Sequence, residues 1–337
     1  MTELARSRRG QDAAVLTAPQ RATRRRRTLV VLGVLTAAAV AAFLTVDVTG
    51  SWDYALQQRG RRLAAMAVVA VAVAVSTVLF QTVTNNRILT PEIMGFDRLF
   101  VLIQTVGVFF LGAATVTTTD PRLRFAVEVV ALIGFGALLY RSLFGRTERD
   151  VYVLVLLGVV LGSTFTSLTL LASRLIDPNE FLTLQDLLFA SFNSVDRQLL
   201  ALSAVLVVLV TAGVWRLLPR LDVVALGRDT AVGLGVDHRR VVNRALLAVA
   251  VLVAVATALV GPITFLGLLV ANLARQLLGT HRHAWVLPGA ALLGLLALVG
   301  GQLVLEQVFG FNSSLSVVVN FVGGIVFIAL LIREPRQ

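Results

Sequence analysis

Ten stretches of this chain, each sixteen residues or longer, are almost uninterrupted apolar side chains, with Arg, Pro, Asn and Gly concentrated between them. They are Leu29–Val46, Leu63–Val83, Leu99–Val116, Phe125–Leu143, Val151–Ala172, Leu199–Leu218, Ala245–Val260, Ile263–Leu278, Ala284–Val304 and Leu315–Ile332. A helix crosses the hydrocarbon of a bilayer with about 17 to 25 such residues, and only helices or closed barrels leave no backbone group unpaired in lipid. With 57% of residues hydrophobic and 15% charged, a soluble globule would have nowhere to hide these side chains. The pattern predicts an all-α, polytopic integral membrane protein of about ten transmembrane helices.

The two runs flanking Gly261-Pro262 have only 16 residues each, so one kinked helix is the alternative there. Parity separates the two models. Ten spans with the N-terminus inside put 23 of the 30 Arg on the cytoplasmic side, leaving only Arg59, Arg61, Arg62, Arg122, Arg124, Arg174 and Arg197 outside. That asymmetry is the one positive charge imposes on insertion, and it favours ten spans with both termini cytoplasmic. Residues 1–27, polar and ending in Arg24-Arg25-Arg26-Arg27, read as a cytoplasmic tail without regular structure. Residues 28–333 read as one transmembrane domain, and 334–337 as a cytoplasmic C-terminus.

The formal net charge of +11 comes from Arg placed in connectors, which membrane topology explains without nucleic acid. The chain has no Lys, so it lacks the phosphate-binding Lys of a Walker A loop and any Schiff-base chemistry. It has no Cys, hence no disulfide or thiolate metal site. His281-Arg282-His283 has a spacing that could hold a metal, but a solvated loop is the expectation. No catalytic group, cofactor or metal site is expected on this chain.

Pro219–Arg244 is a charged, glycine-punctuated connector, long enough for a small helix that starts near Gly227 and Asp229 and stops at Gly235. Charged Arg228 and Asp229, with apolar Ala231 and Leu234 three apart, would let that helix dock one face while its ends stay solvated, against either another protein or the bilayer surface. Arg59, Arg61 and Arg62 stand at the mouth of the second span, against the inside bias, as headgroup anchors or as a docking charge. The fifth span concentrates Gly158, Gly162, Ser163, Thr166 and Ser167, with Gly158, Gly162 and Thr166 expected along one face, for close packing or as a pathway wall. Glu128, inside the fourth span, has Arg124 four residues earlier, so a local ion pair is expected in preference to a proton relay.

FQTVTNNRILTPEIMG at 80–95, ALGRDTAVGLGVD at 225–237 and GPITFLGLLVANLAR at 261–275 stand in the order found in a known family. By these blocks the chain resembles the FecCD-type permease subunits of type II ATP-binding-cassette importers for iron chelates and cobalamin, from about Arg59 to Ile332. RLIDPNEF at 174–181 and FASFNSV at 189–195 are similar to the iron–siderophore subset. Two departures, Ala271-Asn272 where many members have Pro-His and Arg59-Gly60-Arg61-Arg62 where many have Arg-Leu-Pro-Arg, favour a ferric siderophore over cobalamin or haem.

The resemblance implies a permease of the bacterial cytoplasmic (inner) membrane. It would pair with a homologous or identical permease, two copies of an ATPase that uses ATP and Mg, and a periplasmic or lipid-anchored siderophore-binding protein. Ala225–Asp237, within a coupling segment 221–240, would seat on the ATPase through Leu226, Gly227, Arg228, Asp229, Ala231, Leu234 and Gly235. Arg59, Arg61 and Arg62 would meet the binding protein, and the small residues of the fifth span would line the path. The alternative from another class is an ion-coupled secondary transporter, for which Glu128 is the one acidic residue inside an expected span.

Overall fold

The computed structural model describes residues 18–47, 51–144, 151–193 and 195–307, together with Asn320, Gly324 and Ile325. The expected tenth span, residues 1–17 of the tail and the C-terminus lie outside that set, save those three residues. The described residues hold thirteen α-helices and no strand. They are α1 Ala18–Thr45, α2 Trp52–Val83, α3 Phe96–Leu111, α4 Ala113–Thr118, α5 Pro121–Phe144, α6 Val151–Ser173 and α7 Pro178–Leu188. Next come α8 Arg197–Trp215, α9 Leu218–Val224, α10 Arg228–Gly233, α11 His238–Val260, α12 Leu266–Leu278 and α13 His283–Gln307.

Seven of these, α1, α2, α5, α6, α8, α11 and α13, are long and apolar enough to cross a membrane. The third expected span is broken: α3 stops at Leu111 and the chain restarts as α4 after Gly112. The eighth is α12, 13 residues long. At Gly261-Pro262 there are two helices and no kink, because α11 ends at Val260 and its last carbonyl accepts the Ser191 amide at 2.8 Å. The Arg-rich tail also departs from expectation. From Ala18 it is helical, with Pro19 tolerated in the first turn and Arg25 donating to the Gly279 carbonyl at 3.2 Å.

The bundle is built around α2 and α11. In the most apolar stretch of each, 72% of residues are buried, against 17% to 44% in the other five long helices. Every residue from Ala72 to Val83 is buried, which requires neighbours on all sides of α2. Its AVAVAV sequence allows this, since small side chains let backbones approach closely where lipid supplies no hydrophobic drive. Helices α1, α8, α11, α12 and α13 all pack on α2, and α5 and α8 pack on α11.

Around this spine, the 3₁₀ turn Pro91–Met94 and Gly95 press into α6. A Cβ on Gly158 would lie 2.7 Å from the Met94 Cα and 3.0 Å from its carbonyl oxygen, and one on Gly162 would lie 2.8 Å from Arg98 Nη1. Edge-to-face contacts Phe96–Phe135 at 5.5 Å and Phe135–Phe165 at 5.3 Å then join α3, α5 and α6. Helix α7, which no hydropathy run marks, starts at Pro178 with Asp177 accepting the Asn179 amide at 2.9 Å. Its Glu180 accepts the Ala113 amide at 3.3 Å, at the break between α3 and α4.

The close contact at Gly158 leaves no space for a side chain. Gly158→Val is expected to cost about 1–3 kcal/mol through overpacking against backbone that cannot swing away. Thermal unfolding in detergent, compared with Gly134→Val at a position with open space, checks it; equal midpoints would refute the packing role.

Candidate functional site

After α8 the chain turns sharply and lays two short helices, α9 and α10, across the end of the bundle. Pro219 opens α9, whose Leu218, Leu221 and Val224 are buried against the long helices. Gly227 has φ +100° and begins α10, and Gly235 has φ +79° and ends it. Both are left-handed positions that disfavour any side chain, so the glycines at these two points set where the short helix starts and stops. Asp237 then caps α11, accepting the Arg240 amide at 3.1 Å.

The segment has an inner and an outer face, divided differently from the sequence expectation. Ala231 is fully buried and its carbonyl accepts the Val236 amide at 3.0 Å, so it packs inward between α9 and α11. Leu234 does not share its face, because α10 ends at Gly233 and the chain is already turning. Leu226, Val232 and Leu234 are 63%, 57% and 62% exposed, with Arg228 and Asp229 also exposed. Val232 is not singled out by the sequence, although as the neighbour of Ala231 it is turned about 100° around the helix from that buried residue.

Beneath this segment lies a polar contact that the sequence did not reveal. His283, expected in a solvated loop, is 2% exposed and is the first residue of α13. Its Nδ1–H donates to Asp222 Oδ1 at 2.6 Å and its backbone N–H donates to the same oxygen at 2.9 Å. Its Nε2 shares a hydrogen bond with the Thr82 hydroxyl, 2.7 Å away in the last turn of α2. Burial opposes ionisation of Asp222, yet the bonds from His283 outweigh it and hold the carboxyl below its ordinary pKa. With both ring nitrogens engaged, His283 is not available to a metal. His281 stays exposed, and among the described residues no three His, Cys, Asp or Glu side chains are grouped for a metal.

The three arginines of the second span sit at the other end of α2, roughly 35 Å away at 1.5 Å per residue. They do not form one free cluster. Arg59 donates to the carbonyls of Phe43 at 2.8 Å, Val46 at 2.7 Å and Asp47 at 3.3 Å, closing the end of α1. Arg62 pairs with Glu306 at 3.3 Å, and Gln302 donates to the same carboxylate at 2.9 Å. Arg61, half-buried, has no hydrogen bond or ion pair among the described residues.

On α6, Gly158 and Gly162 face inward while Ser163, Thr166 and Ser167 are exposed. Eight residues advance a helix by about 80° beyond two full turns, which separates Thr166 from Gly158. The exposed hydroxyls donate to their own helix, Ser163 to Val159 at 2.9 Å, Thr166 to Gly162 at 3.0 Å and Ser167 to Ser163 at 3.1 Å. Glu128 is buried, 3.6 Å from Arg124 Nε, and it also accepts from Gln104 at 2.7 Å. The local ion pair is present, with a third partner from α3 that sequence spacing could not supply.

Residues 28–333 match the model of the FecCD transport family. The chain is 46% identical over 295 residues to the petrobactin import system permease protein YclO of Bacillus subtilis (strain 168), across 88% of this chain and 93% of that one. It is 31% identical over 310 residues to the petrobactin import system permease protein FatC of Bacillus anthracis, across 91% and 87% respectively. A solved inward-facing structure of a metal-chelate type ABC transporter superposes with a TM-score of 0.80 at 22% identity, over 92% of this chain and 99% of that chain, which shows a shared fold. A family match that runs through all of the long helices, on a scaffold that superposes over nearly its whole length, shows that this chain belongs to the FecCD transport family.

Proposed function

We propose that this chain is the membrane-spanning permease subunit of an ATP-driven importer that carries a ferric siderophore across the bacterial cytoplasmic membrane. The observation that carries the reading is the segment Leu226–Leu234, which holds exposed apolar side chains on a helix anchored from below. The petrobactin permeases among its relatives support the class of cargo. Both termini and the α9–α10 segment face the cytosol, as the Arg distribution favours. Two copies of an ATPase supply the energy from ATP and Mg, a homologous or identical permease completes the path, and a siderophore-binding protein delivers cargo outside.

In this arrangement Leu226, Val232 and Leu234 insert into a cleft of the ATPase, with Arg228 and Asp229 at its rim. Rim charges orient docking, and desolvated apolar anchors hold it. The exposed Ser163, Thr166 and Ser167 surface of α6 faces the second permease and the path. Its hydroxyl protons are tied to the helix, so the wall offers a passing chelate few donors to stick to. At the outer end Arg61 supplies the docking charge for the binding protein, while Arg59 and Arg62 hold the mouth together.

Three outcomes test this. Leu234→Asp should insert and unfold like the parent but lose about 1–3 kcal/mol of ATPase affinity, read by titrating the ATPase against the permease in nanodiscs; undiminished binding refutes the docking face. Arg61→Glu should weaken the binding protein's association in a salt-dependent way without shifting the thermal midpoint, whereas Arg62→Glu should lower the midpoint by leaving Glu306 beside a like charge. Uptake of ferric petrobactin into proteoliposomes of the full importer should require ATP inside and survive collapse of the proton gradient. Uptake driven by that gradient without ATP would establish a secondary transporter instead.

A further inference from the structure

We propose that Thr82, His283 and Asp222 form the strut through which movement of the α9–α10 segment reaches the spanning helices, with His283 as the positioning residue; this rests on reading α10 as the ATPase contact. Three elements meet at one imidazole. Asp222 sits on α9, six residues before α10 begins; His283 is the first residue of α13; Thr82 is in the last turn of α2. Asp222 accepts two hydrogen bonds from His283, at 2.6 and 2.9 Å, and Thr82 takes up the far side of the ring at 2.7 Å.

Stability alone gives little reason for such a constellation. Hydrogen bonds to a carboxylate that stays 33% exposed compete with water and add only modest stability, and the bundle around them is closed mainly by Val, Leu and Ala. What directional bonds supply, and apolar contacts do not, is a fixed register. Leu218, Leu221 and Val224 could slide over the bundle by re-seating among similar neighbours, but Asp222 cannot shift without breaking two bonds to the start of α13.

The far end makes the strut consequential. Helix α13 has 25 residues, and its last turn carries Glu306, which pairs with Arg62 on α2. Thus α2 and α13 are tied to each other at both ends, by Thr82–His283 near the coupling segment and by Arg62–Glu306 at the opposite mouth. A displacement of α9 is delivered to this two-helix beam as a whole, so the outer mouth follows the ATPase contact.

The chain has no cysteine, so single reporter sites are clean. A fluorophore on Thr230→Cys, exposed on α10, reads docking of the ATPase, and one on Gln57→Cys, exposed at the opposite end of α2, reads ATP-driven movement there. Both are followed in the assembled importer in nanodiscs. In His283→Ala the Thr230 signal should persist with unchanged ATPase affinity, while the ATP-driven change at Gln57 falls at least fivefold. Thr82→Val, which keeps the shape but removes the hydroxyl's bond to His283 along with its bond to the Val78 carbonyl of its own helix, should fall too, and Asp222→Asn, which keeps the accepting oxygen, should retain more of the signal than Asp222→Ala. Combining Thr82→Val with Asp222→Ala should lose no more than the worse single change, as members of one unit do.

A full-sized Gln57 response in His283→Ala overturns the strut. So does loss of the Thr230 signal in that variant, which would mean that the residue only shapes the docking surface. Absence of the Thr230 signal in the parent importer would instead remove the ATPase reading of α10 itself.

Discussion

The close approach of α2 to its neighbours is the constraint on which the rest of the fold depends. In lipid, helices gain nothing from hiding apolar surface, so association rests on packing that the tails cannot match. A run of alternating Ala and Val supplies it, giving a helix slim enough to be surrounded. Once α2 is central, α11 and α13 must lie against it, and the connectors at either end are drawn into reach of one another. The polar contacts at Thr82 and at Arg62 are consequences of that geometry, since both lie on α2 and meet partners distant in sequence.

What hydropathy reveals and what it misses divides along physical lines. Length and apolarity identified the long helices because burial in lipid acts on every residue of a span. The same measure overlooked α7, where the signal is Asp177-Pro178 and Glu180, a capping pattern of few residues. It also missed the break at Gly112, since Leu99–Val116 is apolar throughout and only backbone geometry shows the interruption. In the short connector, Gly227 and Gly235 marked the boundaries of α10 correctly because glycine carries its meaning locally.

The face assignments failed where tertiary partners decide. Ala231 and Leu234 look paired by spacing, but α10 ends between them and Ala231 turns inward. His283 looks like loop polarity until Asp222, sixty-one residues earlier in the chain, comes beneath it. Gly158 and Gly162 were legible as small, but that their space is filled by the Met94–Gly95 backbone could not be read from α6 alone. A polar residue next to a span carries two opposite meanings, solvated or partnered, and sequence does not distinguish them.

One of those partnerships bears on how the chain acquires its orientation. The proposed topology puts seven arginines on the side where insertion disfavours them, and three of these have local partners: Arg59 the carbonyls ending α1, Arg62 the carboxylate of Glu306 and Arg124 that of Glu128. A guanidinium that already has an anion or a helix C-terminus beside it is less exposed to the membrane potential and needs less water around it. Counting bare positive charge therefore overstates the opposition at this side. The pair α1–α2, joined by Arg59 to the carbonyls that end α1, can leave the insertion machinery with that penalty already reduced.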